Sequence, residues 1–186
     1  MMVKVLCVVG SIRKDSINRE LAIGLSKLFS ADYEIFFADI KDLPLYNQDY
    51  DDNLPAAVVA FKAQAAEADA VLFVTPEYNR SMPGVLKNAL DIGSRPYGTS
   101  IWDGKPAAVI GTSTGAIATA LAQHHLRQVL SFLNMATMAQ PEAYVRYHEG
   151  LFNAEGEIVE ERTKQHLQNW VTAFESWIQK ELAEKK

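Results

Sequence analysis

Seven residues near the start, VKVLCVV (3–9), are apolar at every position but one. An unbroken run of this kind predicts a strand covered on both faces, not one with a wet face and a dry one. From residue 17 to 29 the spacing changes, and Ile17, Leu21, Leu25 and Leu28, with Phe29 beside them, fall on one face of a helix. YEIFFAD (33–39) reads as a second strand, and DLPLYNQDYDDNLP (42–55), with its prolines and polar groups, as a long loop. An alanine-rich helix is expected over 56–67, followed by the strand AVLFVTP (70–76), which Pro76 ends. Pro83 then opens a helix over 84–92, since proline is tolerated in a first turn. After the loop RPYGTSIWDGKP (95–106) come a strand at AAVIGT (107–112), a helix over 116–133 and a short strand at NMATMA (134–139). Leu167, Trp170, Val171, Phe174, Trp177 and Ile178 form the stripe of a closing helix, which assigns these tryptophans to the core.

Strands alternating with helices in this way give a parallel sheet with helices on both faces. Five strands in a chain of 186 residues fit a doubly wound α/β sheet of flavodoxin-like order 2-1-3-4-5 better than the six-stranded dinucleotide order. No repeat or linker divides the chain, so one domain over 1–186 is expected. Ligands of such sheets lie beyond the carboxyl ends of the strands, at the switch point between strands 1 and 3. The segments after strands 1, 3 and 4 should therefore converge: GSIRKDSINR (10–19), PEYNRSMPG (76–84) and GTSTGA (111–116).

Composition narrows the choice of ligand. A hydrophobic fraction of 48% and a charged fraction of 22% are those of an ordinary globular protein, and a net charge of −5 argues against general affinity for nucleic acid or an anionic membrane. The N-terminal stretch lacks a basic region ahead of a long apolar core, so no secretory signal is expected, and no apolar run has the length of a membrane span. Cys7, the single cysteine, lies in an apolar run and reads as a small buried hydrophobe. With no disulfide and no zinc spacing possible, a reducing cytoplasm is the expected compartment and no metal is expected.

The first segment runs into a helix N-terminus, where unpaired N–H groups and the helix dipole favour an anion. Ser11, Ser16 and Asn18 add neutral donors, and Arg13 adds a planar cation that can hold a phosphate at two points. The blander reading makes Ser16 a helix cap and leaves Arg13 solvated. The segment is neither a Walker loop nor G-x-G-x-x-G. In the second segment, backbone amides can meet the edge of a flat heterocycle while Tyr78 and Met82 pack on its face. Glu77 is a weak candidate for acid–base work, because it lacks a partner in sequence and can equally pair with Arg80. The third segment holds G-x-S-x-G between strand and helix, the pattern of a hydrolase elbow, with Ser113 as the nucleophile and His124, His125, His148 and His166 as candidate bases. The competing assignment makes Ser113 a hydroxyl donor to a bound ligand.

G-S-x-R-x-x-S-x-N-R after strand 1 together with P-E-Y-N-x-S-x-P-G-x-L-K-N-A-x-D after strand 3 resembles the NADPH-dependent FMN reductase family, which includes quinone, azo-dye and chromate reductases. The resemblance runs from Val3 to about Leu133. It implies that the first segment holds the FMN phosphate through Ser11, Arg13, Ser16, Ile17 and Asn18. It lays Pro76, Glu77, Tyr78 and Asn79 along the isoalloxazine ring, with Ser113 and Gly115 closing a third side. One departure is Ile92, where many relatives carry an aromatic residue; Arg80 and Met82 are also variable places, and all three are expected to line or flank the ring edge.

The resemblance further implies that NADPH or NADH reduces bound FMN, which then passes electrons to a small-molecule acceptor: a quinone, an azo compound, a flavin or a metal oxyanion. The flavin carries that chemistry, so no catalytic side chain is assigned. Alternatives are a flavodoxin-type electron carrier, which Arg13 argues against because such carriers hold phosphate with a neutral loop, the serine hydrolase, and a flavin-free module of the same fold. A homodimer or homotetramer is expected, with helices 84–92 and 117–133 at a shared interface that brings Tyr78, Arg80 and Arg127 near the partner's flavin.

Overall fold

The structure, a computed structural model, describes residues 2–184. Its sheet is built on β1 (Val3–Val9), β2 (Tyr33–Phe37), β3 (Ala70–Val74) and β4 (Pro106–Ser113), with β5 (Ala136–Thr137) at the edge, in the order β2-β1-β3-β4-β5. All pairings are parallel; Val5 faces Ala70, and Val71 faces Ala107. A sixth strand, β6 (Tyr144–Arg146), was not expected from sequence; it pairs with the far half of β4, Gly111 opposite Tyr144 and Ser113 opposite Arg146. The edge of β4 is thus bordered by two separate short strands, and the expected strand over 134–139 shrinks to Ala136–Thr137. Pro141 offers no N–H to a ladder, and two carbonyls in the gap are taken by side chains of the helix that precedes β5. Arg127 Nη1 donates to Met138 O at 2.6 Å, and Gln123 Nε2 to Ala143 O at 3.0 Å.

The helices are α1 (Ile17–Ser26), α2 (Ala56–Ala66), α3 (Gly84–Gly93), α4 (Ala120–Phe132) and α5 (Glu161–Glu184). Alternate residues of the central strands feed two cores. Val5, Cys7, Val9, Leu72 and Val74 pack with α1 and α5, while Leu6, Val8, Val71 and Phe73 pack with α2, α3 and α4. Every residue of β3 is buried, which is why its sequence shows no alternation. Each large side chain buried in this way contributes on the order of 1.5–3 kcal/mol. Trp170 is buried on α5, and the half-buried Trp177 donates through Nε1 to Ala136 O at 2.7 Å, so both serve packing. Cys7 is fully buried, and burial pushes its thiol pKa up to about 12, so it is inert.

Two element ends differ from expectation. α4 starts at Ala120, not at 116, because the chain turns through a left-handed Ala118 (φ 50°) before it can enter a helix. α1 ends at Ser26. The long loop before α2 is held against α3, since Asn88 accepts from Tyr46 N at 2.8 Å and donates to Pro44 O at 2.8 Å.

Candidate functional site

The three segments leave the same edge of the sheet, after β1, β3 and β4, which neighbour one another in the order β1-β3-β4. Gly10 continues β1 by donating to Val74 O at 2.8 Å, and Thr75 continues β3 by donating to Ile110 O at 2.9 Å. Gly111 is required here, because a Cβ at that position would overlap the Thr75 carbonyl oxygen.

In the first segment Ser16 is the N-cap of α1, extended at φ −79° and ψ 115°, and its Oγ accepts from Arg19 N at 3.3 Å. No backbone acceptor among the described residues takes the N–H groups from Ser11 to Asn18. Arg13 is exposed and no described residue pairs with it. Arg19, by contrast, lies over the Phe37 ring at 4.8 Å, so Arg13 is the guanidinium this loop can offer a ligand. A row of open N–H groups at a helix N-terminus beside one unpaired guanidinium is a donor set that fits a phosphate dianion. Asn18 behaves differently from its sequence reading. Its side chain is 1% exposed, donates to Thr112 O at 2.9 Å and accepts from Thr112 N at 3.0 Å. It ties α1 to the end of β4 and leaves only its backbone N–H for a ligand.

The second segment is a hairpin. Tyr78 and Ser81 exchange both backbone hydrogen bonds, at 2.9 and 3.0 Å, around Asn79 (φ 50°) and Arg80 (φ 67°). Two left-handed residues in a two-residue loop make the tight turn that suits asparagine and glycine. Arginine there costs about 1–2 kcal/mol. The Glu77 side chain is only 9% exposed; Oε1 lies 3.6 Å from Arg80 Nη1, and Oε2 accepts from Leu121 N and Ala122 N at 3.0 and 3.1 Å. Tyr78 is 55% exposed and free to cover a ligand. Met82 is half-buried and packs against the core beside α2 and α3, and Ile92, 2% exposed, lies in that same core. Of these departures from the family pattern, Arg80 lies on the hairpin turn.

In the third segment Ser113 Oγ donates to Ala118 O at 2.8 Å and accepts from Gly115 N at 3.2 Å, closing its own loop. No described histidine reaches it. His125 instead places Nδ1 3.0 Å from Ser81 Oγ, and His148 lies 3.9 Å from Glu160. Ser113 also lacks the positive φ of a strained elbow. The hydrolase constellation is therefore not assembled. Among the described residues no group of three or more His, Cys, Asp or Glu is placed to hold a metal ion.

The profile of the NADPH-dependent FMN reductase family matches residues 3–150, which include all three segments. The chain belongs to that family. It is 53% identical to a 2-hydroxy-1,4-benzoquinone reductase from a Burkholderia species over 96% of this chain and 97% of the relative. Among solved structures it matches FerB, a flavoenzyme NAD(P)H:(acceptor) oxidoreductase from Paracoccus denitrificans, at 46% identity and a TM-score of 0.93, covering 97% of this chain and 99% of that one. An oxidised flavodoxin from Bacillus cereus, 16% identical, aligns at a TM-score of 0.61 over 93% of this chain and 97% of the other, and at that identity it shows the fold alone.

With the family established, the protein is an NAD(P)H-dependent flavin oxidoreductase with FMN as its cofactor. The residues that sequence reading missed are Thr112, which receives Asn18, and Ala118, which receives Ser113. Thr112 lay inside the G-T-S-T-G stretch and was readable as part of it. Nothing in the sequence marks Ala118, because alanine has no preference for a left-handed backbone.

Proposed function

We propose that the chain works as one FMN-binding domain over 1–186 that reduces quinones with electrons from NADPH or NADH. The observation that carries the reading is the open donor row at the start of α1, beside the unpaired Arg13 and one strand away from the Tyr78–Ser81 hairpin. In this reading the backbone N–H groups of Ser11, Ser16, Ile17 and Asn18 and the guanidinium of Arg13 hold the FMN phosphate. The backbone of Pro76, Glu77, Tyr78 and Asn79 runs along one edge of the ring, and Ser113 and Gly115 close another. Bound FMN supplies hydride acceptance from the nicotinamide and electron delivery to the acceptor. The chain's own residues fix the ring and exclude water from its covered face, and no side chain is assigned as acid or base.

The quinone acceptor is supported by the 2-hydroxy-1,4-benzoquinone reductase that shares 53% identity with this chain. Azo compounds, free flavin and metal oxyanions are the competing acceptors. The test is steady-state oxidation of NADPH and of NADH with a benzoquinone, an azo dye, FMN and chromate in turn. The reading expects the benzoquinone to give the highest kcat/KM, and a higher value for any of the others contradicts it.

We also propose a homodimer or homotetramer in the cytoplasm. Tyr78, Ile117 and Leu121 are exposed apolar side chains around the hairpin and the start of α4, which supports an interface there. Arg127 is held within its own chain: it donates to Met138 O, lies 4.0 Å from Glu142, and burial draws its guanidinium pKa below the usual value. No helix among the described residues is long and apolar enough to cross a membrane.

A further inference from the structure

α4 has an unusual beginning. Its N-cap residue, Thr119, makes no side-chain cap, because Thr119 Oγ1 accepts from Gln123 Nε2 at 3.1 Å. The second and third residues of a helix ordinarily give their N–H groups to the N-cap side chain. Here those residues, Leu121 and Ala122, give them to Glu77 Oε2, 44 and 45 positions away in sequence. The carboxylate also meets the positive end of the helix dipole. One turn further along α4, His125 Nδ1 meets Ser81 Oγ at 3.0 Å. The hairpin is therefore fastened to α4 at both of its ends. The third segment leads straight into the same helix, and Ser113 Oγ donates to Ala118 O just before the helix starts.

We infer that Glu77 is a positioning residue that latches the Tyr78–Ser81 hairpin to the N-terminus of α4, and so sets the gap between the second and third segments where the flavin ring is held. The inference rests on the FMN reading above. It explains two features together: why a carboxylate is buried on the hairpin, and why the hairpin keeps a left-handed Arg80, whose guanidinium faces that carboxylate. It also predicts an electronic effect. A carboxylate on the hairpin that holds the ring would oppose the gain of negative charge there, and so would hold the flavin potential down.

The test compares the full chain with Glu77→Gln and Glu77→Ala. Hydrogen exchange at the Leu121 and Ala122 amides is read on flavin-free protein, FMN affinity by fluorescence titration, and the midpoint potential of bound FMN by dye equilibration. Glutamine keeps an acceptor oxygen, so Glu77→Gln should hold exchange and FMN Kd within about threefold, while its potential moves to a more positive value. Glu77→Ala should speed exchange at the two amides by about tenfold and weaken FMN binding by a similar factor. Wild-type Kd in Glu77→Ala overturns the inference, even if its melting temperature falls, because that leaves only a stabilising cap. If Glu77→Ala fails to fold, an unmoved potential in Glu77→Gln overturns it. Failure of the FMN reading looks different: wild-type protein takes up no FMN, while exchange on the flavin-free chain still reports the latch.

Discussion

Arg13 stands exposed on the first segment and pairs with no described residue, whereas Arg19 is committed to the Phe37 ring. A charge-assisted hydrogen bond to a bound group contributes about 1.5–3 kcal/mol. Arg13→Ala should therefore weaken FMN binding by roughly tenfold to a hundredfold. Its melting temperature should stay at the wild-type value, because the exposed side chain forms no hydrogen bond or ion pair with any described residue. Titration of the flavin-free variant with FMN checks this, and an unchanged Kd removes Arg13 from the phosphate site. At this scale the sequence was a good guide to which residues gather and a poorer guide to what each does. Ser16 and Asn18 carry polar groups suited to a ligand, yet Ser16 caps α1 and Asn18 binds Thr112. Competition between ligand and backbone for the same polar atom is settled by three-dimensional neighbours, which a single sequence does not display.

Between elements, the site depends on α1 and β4 being tied by the Asn18 amide. Asn18→Ala leaves the buried Thr112 N–H and carbonyl without that partner, at a cost of about 1–3 kcal/mol for each group left unsatisfied. Urea unfolding should show a loss of at least about 2 kcal/mol, and a change below about 0.5 kcal/mol would show that the tie is dispensable. Most helices and the four long strands were legible because hydrophobic period and burial agree in them. The break between β5 and β6 was not. YVR is too short to show a period, and the gap is closed by Arg127 and Gln123, which lie on α4 earlier in the chain. The late start of α4 was hidden for a related reason: an alanine-rich stretch favours helix, but Ala118 is held left-handed by the loop around Ser113.

For the whole molecule, the flavodoxin-like sheet explains why three segments far apart in sequence meet at one edge. The exposed Tyr78, Ile117 and Leu121 lie beside that edge, so a second copy of the chain would cover the site's rim. Sedimentation at micromolar concentration should show a dimer or tetramer, and Leu121→Glu should shift it toward monomer; a monomeric wild type contradicts the interface. The central claim is that this protein holds FMN and reduces it with a nicotinamide. It is tested most directly by loading the purified chain with FMN, washing away the excess, and mixing with NADPH in the absence of oxygen. The account predicts that a flavin absorption band stays with the protein and bleaches rapidly. A band that stays but bleaches with neither NADPH nor NADH, or a protein that retains no flavin, would contradict it.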